Sequence, residues 1–159
     1  MENRVKQKKF VSLVLYLHNT QNEVVPFFQK VLPVFQDNFT NFEIVCVNDA
    51  CTDGTIGVLK EYLEENHCSE MVNIIHMSFF HGLESAMNAG RDLAIGDFIY
   101  EFDTAYVDYP AELIMEVYDK LLEGNDIVSA GTRDHVRMTS GFFYFCYNKT
   151  SRGRGKIGP

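Results

Sequence analysis

A parallel α/β domain with helices on both faces of its sheet is what this sequence predicts. Three observations point there. Short apolar runs alternate with amphipathic helical stretches five times. The runs are apolar throughout rather than every second residue, as in strands covered on both faces. The chain, 159 residues of which 46% are hydrophobic, has the size of one ordinary domain with a real core.

The elements follow in order. FVSLVLYL (10–17) is a buried strand. EVVPFFQKVLPVFQ (23–36) has helical spacing, with Pro26 in its first turn and Pro33 near its end. FEIVCVN (42–48) is the second strand, and TDGTIGVLKEYLEEN (52–66) a helix that Thr52 or Asp53 caps. VNIIHMS (72–78) is the third strand. HGLESAMNAGRDLAIG (81–96) is a helix with Leu83, Ala86, Met87, Leu93 and Ala94 on its apolar side and Gly96 at its stop. DFIYEFD (97–103) is the fourth strand, and PAELIMEVYDKLLEGN (110–125) a helix with Pro110 at its first position. DIVSAGT (126–132) reads as a fifth strand, and MTSGFFYFCYNK (138–149) as a last, aromatic-rich helix. The organisation is a basic arm over 1–9, a domain over 10–135 and an aromatic, basic segment over 136–159.

Charge excludes some functions. The net charge is −8, yet residues 10–132 alone hold 20 acids against 4 bases. Such a surface repels nucleic acid. The basic ends suit an anionic membrane surface or a diphosphate. No apolar stretch approaches the roughly 20 residues of a membrane-spanning helix, and no signal core follows the basic start. Cys46, Cys51, Cys68 and Cys146 show no zinc-like spacing and read as free thiols. A cytoplasmic protein is expected, placed at the inner face of the membrane if the basic ends touch lipid.

In such sheets ligands bind beyond the carboxyl ends of the strands. That selects HNT (18–20), NDACTDGT (48–55), FFHG (79–82) and EFDTAYVDYP (101–110). Asp49 immediately follows a strand, where a carboxylate accepts from a ligand N–H or from a turn. Asp53 more simply caps the next helix. Cys51 stands near a helix start, which lowers a thiol pKa, but it has no assigned base partner. GxGxxG and GxxxxGK[ST] are both absent, so neither a dinucleotide dehydrogenase nor a P-loop enzyme is indicated. Asp103 ends a strand and suits a divalent cation, which prefers oxygen donors. Glu101, two residues earlier, points to the same side of an extended chain. Asp108 precedes Pro110 and the next helix, as a helix cap would.

Together these segments resemble the family 2 glycosyltransferases, inverting enzymes of the GT-A fold that use nucleotide-diphosphate sugars. VSLVLYLHN resembles the opening strand that ends Pro-x-Tyr-Asn-Glu. VNDACTDGT resembles Val-Asp-Asp-Gly-Ser-Thr-Asp-Gly-Thr. HGLESAMNAGRDLAIGDFIYEFD resembles the Gly-x-x-x-Ala-x-Asn-x-Gly helix, then Ala-x-Gly-Asp and the strand leading to Asp-x-Asp. DYPAELIMEVYDKLLEGNDIVSAGTR is similar to the helix and strand that follow, and the tail to the polyprenyl-phosphate branch, such as dolichol-phosphate mannose synthases.

The resemblance implies a GT-A, Rossmann-like three-layer α/β/α fold with a mostly parallel sheet. It implies a nucleotide-sugar site lined by Tyr16, His18, Asn19, Asp49, Asp103 and Thr104, with Asp49 reading the base. It implies Asp103 and Asp108 as the catalytic acids, Asp108 on the acceptor side. A divalent cation, Mn²⁺ or Mg²⁺, would sit on Asp103 with Glu101 as a second ligand. The acceptor would be a lipid phosphate or a saccharide. Several positions depart from the pattern: Tyr16 stands for proline, Thr20 for glutamate, Asn48 for the first aspartate, Phe79 and Phe80 for Arg and Asn, and Ala105 for the second aspartate of Asp-x-Asp. The departures raise a second expectation, a relative that binds nucleotide sugars with impaired chemistry.

Overall fold

A computed structural model describes residues 6–130. The chain divides into two compact units, Met1–Met115 and Glu116–Pro159. The first holds four strands: β1 (Gln7–Leu17), β2 (Phe39–Asn48), β3 (Val72–His76) and β4 (Phe98–Phe102). Between them run α1 (Val24–Asn38), α2 (Thr55–Glu65), a 3₁₀ turn (Ser69–Met71) and α3 (Leu83–Leu93). Helix α4 (Leu113–Leu122) begins at the end of this unit and continues into the second.

All strands are parallel and lie in the order β3-β2-β1-β4. The central strand is the most apolar: Val11, Leu13, Val14, Leu15 and Leu17 are all fully buried. Its register aligns Leu17 with Asn48 of β2, and Asn48 with His76 of β3, so three strands end level. Phe102, the last residue of β4, pairs with Leu15. Strand order reverses at β1, because the chain moves outward through β2 and β3 and then returns to β4 on the other side. That reversal opens the crevice in which open α/β sheets bind ligands.

Alternation along the strands splits the core in two. Val14, Val45 and Val47 meet Ala86 and Met87 of α3. Helices α1 and α2 pack together, and α1 presents Phe27 to Phe102 and Phe35 to Tyr100, at ring distances of 5.1 and 5.2 Å. Helix α3 can approach the sheet because Gly90 faces Val14 and Val47; an added Cβ would stand 2.8 Å from Val47 Cγ2 and nearer still to Val14. Gly96 is equally constrained, since a Cβ there would lie 2.5 Å from the Ser12 amide nitrogen. The buried Ser12 hydroxyl accepts the Gly96 N–H (2.8 Å) and donates to Glu43 (2.6 Å), fixing the turn into β4.

The strand and helix order expected from the sequence is present through α4, with four corrections. Helix α3 ends at Leu93, short of Gly96, and Leu83 and Leu93 of its expected apolar side are exposed. Helix α1 runs five residues past Pro33, which lies inside it. The missing proline N–H costs one bond to Gln29, and the buried stripe Phe27, Phe28, Val31, Leu32, Phe35 holds the helix across that gap. Helix α4 starts at Leu113 rather than Pro110, after a tight turn in which Leu113 donates to the Pro110 carbonyl (3.2 Å). Residues 126–130 form no strand. The remainder of that expected strand and the expected helix over 138–149 lie outside the described residues.

Candidate nucleotide-sugar site

Two loops at the carboxyl end of the sheet are laced together by side chains that satisfy backbone groups. Asn19, just past β1, sits at φ 53°, a conformation Asn tolerates better than most residues. Its carbonyl accepts the N–H of Thr52 (2.8 Å) and of Asp53 (3.3 Å). In return the Thr20 N–H donates to the Thr55 hydroxyl (2.8 Å), and the Gly54 N–H to the Gln21 side chain (2.9 Å). Asp53 accepts from the Thr55 N–H and hydroxyl (3.0 and 2.5 Å), but the N-cap of α2 is Gly54, so neither Thr52 nor Asp53 holds the cap position expected of it.

Asp49 is the hub. It is fully buried, so its carboxylate must be satisfied from within. One oxygen accepts the His81 N–H (2.8 Å); the other accepts the Gly82 N–H (2.8 Å) and the Tyr16 hydroxyl (3.1 Å). Gly82 adopts φ 84°, ψ 163°, a region essentially reserved for glycine. The backbone carbonyl of Asp49 accepts from His18 Nδ1–H (2.7 Å), which fixes that ring. Burial, and then the neighbouring Asp49 carboxylate, push the Tyr16 phenol up to about 12.

Of the two neighbours of Asp49 that depart from the family pattern, Asn48 has a structural role and Ala50 carries strain. Asn48 donates its amide to His76 Nδ1 (2.9 Å) and accepts the Cys51 N–H (2.9 Å). A carboxylate at 48 would accept the second but could not donate the first. Ala50 adopts φ 54°, at the position where the signature carries glycine. Cys51 is held between the Asn19 N–H (3.3 Å) and the Leu17 carbonyl (3.5 Å). Burial raises its thiol pKa, the reverse of the shift expected from a helix start.

Beyond β4 the arrangement is looser. Glu101, expected as a cation ligand, is engaged elsewhere: Arg91 of α3 reaches both its carboxylate oxygens (3.0 and 2.9 Å). Asp103 is exposed and has no hydrogen-bond partner among the described residues. The Thr104 hydroxyl accepts the Tyr106 N–H (3.1 Å). Ala105 is buried. Asp108 is exposed and stands five residues before α4, not at its cap. Tyr109, which the motifs do not single out, has a buried hydroxyl with no hydrogen-bond partner among the described residues. Burial first, then Asp108 and Asp103, push it up to about 12.

The described residues contain no group of three His, Cys, Asp or Glu able to hold a metal by themselves. Of the expected site residues, the structure joins Tyr16 and His18 directly to Asp49, while Asn19 bonds instead to Cys51, Thr52 and Asp53 of the loop that follows Asp49. Asp103 and Asp108 share no bond among the described residues; each lies near enough to Tyr109 to help raise its phenol pKa.

The sequence matches the glycosyl transferase family 2 model over residues 12–157. The chain belongs to that family. It is 34% identical over 129 residues to an uncharacterized glycosyltransferase of Synechocystis, covering 81% of this chain and 39% of that protein. It is 31% identical over 150 residues to a prophage bactoprenol glucosyl transferase homolog of Escherichia coli, covering 89% and 47%. The chain thus spans less than half the length of these relatives. Among solved structures it is similar to Staphylococcus aureus TarS 1–349 in complex with UDP-GlcNAc, with TM-score 0.55, 18% identity and coverage of 79% and 38%. It is also similar to the mannosyltransferase PcManGT of Pyrobaculum calidifontis in complex with GDP-Man and Mn²⁺, with TM-score 0.52, 18% identity and coverage of 58% and 26%. At these identities the likeness concerns the fold: this family 2 domain has the GT-A architecture expected from its sequence.

Proposed function

We propose that this family 2 domain binds a nucleotide-diphosphate sugar and transfers the sugar, with inversion, to a lipid-phosphate or saccharide acceptor. The observation that carries the reading is Asp49, buried at the junction of the loops after β1, β2 and β3. Tyr16, His18, Asn19 and Asp49 line the nucleotide side, and Asp103 and Thr104 the diphosphate side. A lipid-phosphate acceptor is favoured by the bactoprenol glucosyl transferase relatives.

The chemistry follows. The acceptor oxygen attacks the anomeric carbon, the bond from that carbon to the diphosphate breaks, and the nucleoside diphosphate leaves. A phosphate acceptor is already ionised and needs no base; a hydroxyl acceptor needs one, and Asp108 is the carboxylate assigned to it. Asp103 supplies a single carboxylate. Mg²⁺ is commonly held by one or two carboxylates together with substrate phosphates, so the fit is to a cation arriving with the diphosphate. Such a cation would offset charge on the leaving group. We place the protein in the cytoplasm, at the inner membrane face where a lipid acceptor is reached; the free thiols at Cys46, Cys51 and Cys68 accord with that.

A second reading, a nucleotide-sugar-binding relative with impaired chemistry, is favoured by Ala105 and by the Arg91–Glu101 pair, which together leave Asp103 as the one carboxylate at the end of β4 not engaged by another described residue. Thermal-shift titration with UDP, GDP and their sugars, with and without Mn²⁺, tests both readings. Binding with metal-dependent sugar-nucleotide hydrolysis supports the transferase; binding without turnover supports the impaired relative. No shift with any nucleotide would sink both.

A further inference from the structure

The loop between β3 and α3 carries two exposed aromatic rings where the family pattern has Arg and Asn. Phe79 is 63% and Phe80 57% exposed. Single exposed apolar residues are ordinary, but two adjacent exposed rings make an apolar patch of the kind that marks a binding surface. These are also held in place. Asp49 clamps the loop through the His81 and Gly82 amides. His81 Nδ1–H donates back to the Phe79 carbonyl (2.6 Å), and its ring stacks on Phe79 at 3.9 Å and 19°. The Phe80 ring meets His18 at 4.6 Å and 50°, and His18 is itself fixed by the Asp49 carbonyl. The platform therefore joins the ends of β1 and β3, beside the hub.

We propose that Phe80, braced by His18, is a stacking platform for the nucleobase of the donor, and that base affinity here comes from ring stacking more than from polar reading. This rests on the nucleotide-sugar reading and deepens it. Asp49 bears on the same point: three donors from within the protein already engage its carboxylate. A loop with Phe in place of Arg and Asn offers a face to any base, because purines and pyrimidines alike present one.

The chain has no tryptophan, so Phe80→Trp introduces a single reporter at the platform. Titration with UDP and with GDP should quench its emission saturably, and Phe80→Trp should bind at least as tightly as the wild type by calorimetry. Phe80→Ala should weaken both nucleotides, by about 5- to 100-fold each. Phe80→Leu, which keeps apolar bulk without a π-face, should be nearly as weak. The exposed position predicts wild-type melting for all three. Wild-type affinity in Phe80→Ala or Phe80→Leu, or an unquenched Phe80→Trp that still binds, would overturn the platform and leave the function intact. Failure of the wild type to bind either nucleotide would instead overturn the functional reading beneath it.

Discussion

The Tyr16 hydroxyl donates to the Asp49 carboxylate across 3.1 Å, between the end of β1 and the end of β2. If Asp49 reads the base as proposed, the phenol occupies an acceptor site that a base N–H would use. Tyr16→Phe should therefore tighten binding of a base that donates to Asp49, at a stability cost of about 1 kcal/mol for one hydrogen bond. Calorimetry with UDP and GDP and urea denaturation measure the two effects. Equal or weaker affinity would show that the hydroxyl does not compete.

Removing Asp49 itself is a different perturbation. Asp49→Ala strands the His81 and Gly82 amides and the Tyr16 hydroxyl, and it should abolish nucleotide binding. Hydrogen bonds to a charged group contribute roughly 1.5–3 kcal/mol each, so losing three of them should cost about 4 kcal/mol or more. Far-UV circular dichroism melting reads the stability. Unchanged nucleotide affinity in the folded variant would show that Asp49 is no part of the site.

Alkaline pH tests the same burial. Tyr16 and Tyr109 are both pushed up to about 12 from 10.0. Their folded-state values are raised, so the stability they contribute is complete below about pH 10 and is lost as pH rises toward about 12. Denaturation midpoints should fall across that window. The fall should be shallower in Tyr16→Phe and shallowest in Tyr16→Phe/Tyr109→Phe.

At Ala50 the prediction reverses the usual rule for glycine. Left-handed backbone costs a non-glycine residue about 1–2 kcal/mol, and Ala50 stands at φ 54°. Ala50→Gly should be neutral to stabilising, despite the greater freedom of the unfolded chain. Gly90→Ala should go the other way. Overpacking against Val14 and Val47, at about 1–3 kcal/mol, outweighs a helix-propensity gain of about 1 kcal/mol. Melting temperatures of the two variants decide both claims.

The two strand-end carboxylates should separate by function. Asp103→Asn should erase the part of the nucleotide thermal shift that depends on Mn²⁺. Glu101→Gln should leave it in place, because Glu101 is engaged by Arg91. Its stability change should stay under about 1 kcal/mol, as for half-exposed ion pairs. Loss of the metal effect in Glu101→Gln would return that residue to the cation.

Much of the fold was legible because its signals are local. Continuous apolar runs mark β1 and β2, and helical spacing marks α1 and α3. Glu101 shows where such reading stops. Strand alternation correctly sets it apart from Tyr100 and Phe102, which turn their rings to α1, but nothing within the strand reveals that Arg91 lies within reach. Asn48 likewise looks like a damaged aspartate until its amide is seen bonded to His76, 28 positions on. Residues 126–130 are apolar enough for a strand, yet an apolar run alone does not supply a partner edge. The platform at Phe79 and Phe80 was visible only as a departure from a pattern, with no sign that Asp49 fixes its loop.

The lacing of the β1 and β2 loops has a thermodynamic consequence. Asn19, Gln21, Asp53 and Thr55 answer one another's backbone groups from within the chain. A site that holds its own shape gives up little chain entropy when it is filled. Binding there should approach rigid-body association, so that affinity follows the quality of contact between ring and base rather than the cost of gathering a loose loop.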